Sequence, residues 1–100
     1  MTREELNAML DELMFDKVPN DYFSGKMQIT YTDEQEFIPI VYEINNYKFY
    51  VGGLDEDYQA DYGISRDDTA FLVCTDETDY IVTWASREVL DLNTGDWWIY

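Results

Sequence analysis

The stretch FIPIVYEINNYKFYV, residues 37–51, constrains the fold of this chain more than any other. Apolar side chains alternate with other residues on both sides of Asn45 and Asn46, a two-residue turn that tolerates positive φ and joins antiparallel strands. One register satisfies both halves and places Glu43 opposite Lys48, an attractive cross-strand pair. On the other face, this register pairs Ile44 with Tyr47, Tyr42 with Phe49 and Ile40 with Val51. The sequence therefore predicts a β-hairpin with one apolar face.

A second hairpin is predicted at 69–84, where TAFLVCT and YIVTW flank the acidic tip DETD. Pairing about this tip brings Asp76 and Asp79 face to face, a like-charge placement that weakens a hairpin. The same register pairs Val73 with Val82, Phe71 with Trp84, and, on the opposite face, Cys74 with Ile81. Because both faces are apolar, we expect central strands that are covered on two sides, or on one side by a partner.

The N-terminal segment has the periodicity of an amphipathic helix. Thr2 and Glu5 match a capping box, in which each side chain accepts a backbone hydrogen bond from the other residue. The apolar residues that follow recur at helical spacing, and they are Leu6, Met9, Leu10, Leu13 and Met14. We expect a helix over about 3–14.

The remaining segments predict an α+β fold. We expect a loop over 16–25, a first strand over 26–32, a short helical turn through 87–92 and a last strand over 96–100. The whole chain, residues 1–100, is predicted to be a single domain. In this domain the N-terminal helix packs on a mainly antiparallel sheet of five or six strands, with the short helical turn near the C-terminus.

Charge is the most unusual property of the composition. Against 22 Asp and Glu there are 6 Lys and Arg and no histidine, a formal net charge of -16. This excess costs folding stability through self-repulsion, and solubility requires much less of it. Nucleic acid and anionic membranes would repel such a chain, so neither is an expected partner. A basic protein surface is the expected partner, and a metal cation is the alternative.

Two features of the sequence bear on where the protein is located and on whether its cysteine is reactive. The start MTREELNAML has no basic region followed by an apolar stretch, and no apolar run approaches membrane length, so we expect a cytoplasmic protein. Cys74 is the only cysteine and lies in the apolar run AFLVCT. It is interpreted as a buried core thiol, because a nucleophile would need a histidine that this chain lacks.

The acidic stretch GGLDEDYQADYG, residues 52–63, raises the question of calcium binding. With Asp55 at the first position of an EF-hand loop, Ala60 occupies the place of the required glycine and Arg66 that of the bidentate glutamate. The motif therefore fails, and only weak cation binding stays open. No motif for hydrolysis, phosphate binding or a nucleophile elbow is present. We expect no enzymatic activity, no cofactor and no metal site.

Partner binding is the interpretation that explains where the acids lie, because they gather mostly at loops and hairpin tips. Turns normally carry charge, but lysine should be as frequent there as acid. If residues 54–62 are extended, Asp55, Asp57 and Asp61 project from one side; if the stretch is helical, Asp57 and Asp61 are neighbours beside a stripe with Tyr58. The predicted partner-binding residues are Asp33, Glu34, Glu36, Asp55, Glu56, Asp57, Tyr58, Asp61, Tyr62, Asp67, Asp68, Asp76, Glu77 and Asp79.

In size, charge, aromatic content and acid-tipped hairpins, the chain resembles the small acidic inhibitors of phages and mobile elements that mimic DNA, the anti-CRISPR and anti-restriction proteins. The resemblance covers the whole chain and is one of type, with no shared motif. It implies a non-enzymatic inhibitor in a bacterial host cell, a monomer or small homo-oligomer, whose carboxylates occupy the DNA-binding groove of a CRISPR effector or restriction nuclease. Two alternatives are an immunity protein that neutralises a cationic nuclease toxin and an acidic metal-binding or structural phage protein.

Overall fold

The structure is a computed structural model that describes residues 1–31 and 37–100, with only the backbone at Thr30 and Tyr31. The predicted α+β fold is confirmed, because an N-terminal helical segment of 21 residues lies on an open sheet. Its elements are α1 (Arg3–Glu12), a π-helical turn (Leu13–Lys17), α2 (Val18–Phe23), β1 (Ile29–Tyr31), β2 (Ile40–Ile44), β3 (Tyr47–Leu54), α3 (Glu56–Asp61), β4 (Ala70–Cys74), β5 (Asp79–Thr83), β6 (Glu88–Asp91) and β7 (Trp97–Ile99). Within the two described ranges, no helix has both the length and the apolarity to cross a bilayer.

Six strands form an antiparallel sheet in the order β2-β3-β4-β5-β6-β7, which confirms the predicted sheet. The three-residue β1 adds a parallel pairing that the sequence did not predict, at the end of β3 beyond its contact with β2. Gly53 makes this pairing possible, because a Cβ at that position would lie 2.8 Å from the backbone oxygen of Gln28. The requirement for glycine here comes from the close approach of two backbones.

The first hairpin has the predicted register. Glu43 pairs with Lys48, and all three apolar pairs are observed, Ile44 with Tyr47, Tyr42 with Phe49 and Ile40 with Val51. Asn45 and Asn46 have φ angles of 51° and 69°, the left-handed conformation that a type I′ turn needs and that asparagine tolerates.

The predicted register of the second hairpin is wrong by two residues. Phe71 pairs with Val82, Val73 with Tyr80, Leu72 with Ile81 and Cys74 with Asp79. The turn spans 75–78, because the Thr75 hydroxyl donates to the Thr78 carbonyl (2.8 Å) and accepts from the amides of Glu77 (3.2 Å) and Thr78 (3.0 Å). Asp76 therefore does not face Asp79, and Trp84 lies beyond the end of β5.

The predicted loop over 16–25 is also wrong, since the helix continues to Phe23 through the π turn. The amide of Val18 donates to the carbonyl of Leu13, one residue farther back than in an α-helix. Pro19 falls in the first turn of α2, where its missing N–H removes no essential bond. Both Val18 and Pro19 are buried against the sheet.

Residues 87–92 do not form the predicted helical turn, because Glu88–Asp91 is strand β6. The chain reverses before it at Arg87, which has a φ of 56°. A single helical turn near the C-terminus does occur, but it follows β6: the amide of Gly95 donates to the carbonyl of Asp91 at 2.8 Å. The last strand is observed as β7.

Apolar layers cover both faces of the sheet, as expected for the central strands. The N-terminal helical segment covers one face, where its buried residues meet Phe49, Phe71 and Val82. The opposite face packs a smaller cluster that includes Leu54, Leu72 and Ile81, together with the half-buried Tyr58 and Tyr62 of the α3 region. The segments before and after β4 carry exposed acids, and further exposed acids lie on the N-terminal helical segment.

Candidate protein-binding surfaces

The undecided segment 54–62 is helical, and the sequence explains why. Asp55 caps α3 by accepting the amide of Asp57 at 2.9 Å. Gly63, with a φ of 73°, ends the helix in a Schellman motif, since its amide donates to Ala60 (2.9 Å) and that of Ile64 to Gln59 (3.2 Å). Asp55 is thus part of the helix architecture.

Tyr58 and Tyr62 anchor this short helix to the sheet. Their rings are 5.4 Å apart, their hydroxyl oxygens are 3.3 Å apart, and both pack on the Leu72 cluster. They are half-buried, so they display less surface to a partner than an exposed aromatic residue would. The exposed residues of α3 are Glu56, Asp57, Ala60 and Asp61.

Gln59 and Asp68 hold the α3 region in place by hydrogen bonds that sequence reasoning missed. Gln59 is only 2% exposed, and its side-chain Nε2 donates to the backbone carbonyls of Ser65 (2.7 Å) and Asp68 (2.9 Å). Nothing in the sequence distinguishes this buried glutamine from an exposed one. These bonds close the loop 62–69 over α3.

The carboxylate of Asp68 joins this loop to the turn that follows β5. It accepts the amides of Thr69 (2.8 Å), Ala85 (2.8 Å) and Ser86 (3.0 Å) and the Ser86 hydroxyl (2.6 Å). Partial burial opposes ionisation, but these donors outweigh it and lower the pKa of Asp68 from its ordinary 3.8. Both oxygens are used inside the protein, although Asp68 was predicted to bind a partner.

The predicted acidic residues lie at opposite ends of the sheet. We call the exposed acids beside α3, namely Glu56, Asp57, Asp61 and Asp67, the α3 surface, and the acids Asp76, Glu77 and Asp79 the 75–79 surface. The strand Ala70–Cys74 separates the two, a span of about 17 Å at the usual rise per residue. Asp33, Glu34 and Glu36 lie outside the described residues.

Basic side chains do little to neutralise these surfaces. Five of the six lie in ion pairs with single carboxylates, namely Arg3 with Asp96, Lys17 with Glu12, Lys26 with Asp21, Arg66 with Asp57 and Arg87 with Asp11. Lys48 is the sixth, in cross-strand register with Glu43. A net charge of -16 therefore remains, and most of it is exposed.

An exposed aromatic pair that the sequence interpretation missed, Phe23 and Trp84, lies beside the loop that carries Asp67, because the amide of Trp84 donates to the carbonyl of Thr69 at 2.9 Å. Their ring centroids are 5.1 Å apart, and the side chains are 59% and 40% exposed. Tyr22 contacts both Phe23 and the core residue Phe71, so the pair rests on a rigid base. Helical spacing within 18–23 could have indicated the position of Phe23, but these residues were predicted to form a loop.

The 75–79 surface borders a cleft of about 330 Å³, lined by 75–79 with Leu92 and Asn93. Cys74 lies below it, and burial together with a hydrogen bond to Asp79 raises the pKa of the thiol to about 12. The thiol is therefore protonated at neutral pH and is a poor nucleophile. Within 1–31 and 37–100, no three His, Cys, Asp or Glu side chains are grouped so as to hold a metal ion.

These arrangements can bind cationic groups and apolar side chains. Comparison with protein families, with curated proteins and with solved structures gives no match for this chain.

Proposed function

We propose that this protein is a non-enzymatic inhibitor that binds a basic nucleic-acid-binding protein, such as a CRISPR effector or restriction nuclease, and blocks access of DNA. The observation that carries the proposal is the exposed pair Phe23 and Trp84 beside the loop that carries Asp67, one of the exposed carboxylates of the α3 surface. Asp68 connects the two, because its carboxylate binds the amide next to Trp84 and its neighbour Asp67 belongs to the α3 surface. Protein interfaces combine aromatic anchors with complementary charge in this way.

The negative charge of the α3 surface supports a partner whose binding groove normally holds DNA. Duplex DNA carries one charge per about 1.7 Å of axis, so its binding groove is lined with Lys and Arg. Carboxylates at successive turns of a helix match such a groove, and tryptophan stacks on arginine. Association should be fast and should weaken with salt, because long-range attraction steers it.

The test is capture from a bacterial lysate on the immobilised protein, with elution by duplex DNA. We expect basic DNA-binding proteins to be retained and then released by the duplex. A variant with Glu56→Gln, Asp57→Asn and Asp61→Asn should lose them, since it removes three exposed charges and spares the cap Asp55. The proposal is wrong if duplex DNA releases no captured protein, or if it releases only proteins that the variant also captures.

A matched control removes the same charge elsewhere. The control carries Glu4→Gln, Glu12→Gln and Asp16→Asn. These three positions are exposed on the N-terminal helical segment, on the face of the sheet opposite α3. This variant should capture the same proteins as the parent, because only the site of the charge differs. The identity of the captured protein then separates the hypotheses: a nuclease toxin would instead indicate the immunity-protein alternative.

A further inference from the structure

Strand β7 is an edge of the sheet, and its outward backbone groups can be assigned from its pairing with β6. The amide of Asp91 donates to Asp96 and that of Tyr100 to Arg87, both at 3.0 Å. In an antiparallel ladder, residues alternate between facing the neighbouring strand and facing away. Because Asp96 and Tyr100 belong to pairs that face β6, the N–H and C=O groups of Trp97 and Ile99 point away from the sheet.

The same two residues also expose their side chains. Trp97 is 42% exposed and Ile99 is 71% exposed, on the face opposite the N-terminal helical segment. Trp98 points to the other face, where its indole donates to Asn7 at 2.7 Å. Natural proteins protect an open edge with charge, proline, a bulge or a very short strand; β7 is short, but residues 97–100 contain no charged side chain and no proline. Within the described residues, Trp97 and Ile99 thus offer unpaired backbone and apolar side chains together.

The acids near the start of β7 indicate which partner fits. Asp96 directly precedes β7, and the backbone amide of Asp91 donates to the carbonyl of Asp96. The 75–79 surface lies beside them, since the amide of Leu92 donates to the carbonyl of Asp79 at 3.0 Å. The cleft of about 330 Å³ between 75–79 and 92–93 opens at this same end of the sheet. Cationic side chains at one end of an added strand would therefore meet several carboxylates.

A second copy of this chain is a poorer occupant of the edge. Self-pairing would bring together two molecules with a net charge of -16 each. A basic segment of another protein gains from the charge that a second copy would have to overcome.

We propose that the β7 edge binds an extended segment of a basic partner by β-strand addition. The segment runs antiparallel to β7, places β-branched or apolar side chains beside Trp97 and Ile99, and ends in Lys or Arg residues that reach the 75–79 cleft. Main-chain bonds supply affinity, and alternate side chains supply specificity. The inference rests on the proposed function for the basic nature of the partner, but it assigns a separate surface.

The test is an NMR titration of the ¹⁵N-labelled protein with the capped peptide Thr-Val-Thr-Val-Lys-Lys. We expect saturable shifts at the amides of Trp97 and Ile99 and at the indole of Trp97. The reordered peptide Lys-Lys-Thr-Val-Thr-Val and the glutamate peptide Thr-Val-Thr-Val-Glu-Glu should bind roughly three- to tenfold more weakly, as expected for two exposed charges. Equal binding of all three peptides, or no shift at 97 and 99, overturns the proposal.

Two variants make the outcome specific. Ile99→Pro removes an outward N–H and the exposed isoleucine side chain but no hydrogen bond to β6, so the β6 pairing survives while peptide binding should be lost. The α3-surface variant should bind the peptide as the parent does, so that failure of the proposed function and failure of this inference give different results. Shifts at 97 and 99 that grow with protein concentration alone, with a doubled mass in sedimentation, would assign the edge to a second copy and overturn the proposal.

Discussion

The two ends of β4 both carry exposed acids, but their turns are held by different chemistry. At the α3 end, acids hold the fold: Asp55 caps a helix, and Asp68 accepts four hydrogen bonds. At the 75–79 end, the neutral Thr75 holds the turn. The comparison teaches that negative charge is required by the architecture at one end, whereas at the other end it can be removed without loss of structure.

The largest effect should come from Asp68→Ala. It leaves three backbone amides without their carboxylate, so we expect the free energy of unfolding to fall by about 1–3 kcal/mol. Urea denaturation measures this loss. The neighbouring Asp67→Ala removes the same charge from an exposed position and should change stability by less than about 0.5 kcal/mol. Equal losses for both variants would mean that charge, not hydrogen bonding, matters here.

A somewhat smaller effect should appear on acidification. The pKa of Asp68 is lowered in the folded state, so its contribution to stability is present above the unfolded value, 3.8, and is lost as pH falls through the folded pKa. The stability difference between the parent and Asp68→Asn should therefore shrink below about pH 4. Denaturation of both proteins from pH 6 to pH 2.5 measures it. A difference that stays constant over this range contradicts the assigned pKa direction.

Thr75→Ala should have a moderate effect. The hydroxyl makes three bonds within the turn 75–78, so its loss should cost about 0.5–1.5 kcal/mol. Thr75→Ser keeps the hydroxyl and should recover most of the loss. Chemical denaturation of the three proteins decides the matter. If serine fails to restore stability, the methyl group rather than the hydrogen bonds of Thr75 holds the turn.

The smallest effect should follow the combined change Asp76→Asn and Glu77→Gln. Both side chains are exposed, and Glu77 lies 3.8 Å from the N-terminal ammonium. Loss of this exposed pair offsets the decline in self-repulsion, so we expect a change of less than about 0.5 kcal/mol. Thermal unfolding at low salt is the most sensitive measurement, since screening would hide the effect. A clear loss of stability would show that the acids, and not only Thr75, maintain this end.

The two hairpins show what the sequence can and cannot predict. Asn45 and Asn46 fix the first register, because only a two-residue turn suits the alternation on both sides. The second pattern allows a shift of two residues, since side chains alternate with period two and such a shift leaves every residue on its own face. Only the Thr75 hydrogen bonds decide between the two registers, and threonine carries no comparable turn signal.

The candidate site was predictable in composition but not in placement. The acid clusters and the helical alternative for 54–62 could be inferred from spacing, yet their separation by β4 depends on strand order. The pair Phe23 and Trp84 was missed through two errors: the predicted helix ended at about residue 14, before Pro19, and the predicted second strand extended to Trp84. Proline ends a helix in most sequences, and the π turn that accommodates it has no simple sequence pattern.

That π turn has a consequence for insertions and deletions. It contains one residue more than an α-helical turn, and this extra residue keeps Leu10 and Val18 on the same side of the helical segment. An unbroken α-helix through the same residues would instead turn Lys17 and Asp21 toward the core. Each residue of an α-helix turns the chain by about 100°. Deletion of one exposed residue within 13–17 should therefore restore regular helix geometry with Leu10 and Val18 still on the same side, whereas one further inserted residue would rotate α1 by about 100° away from the sheet.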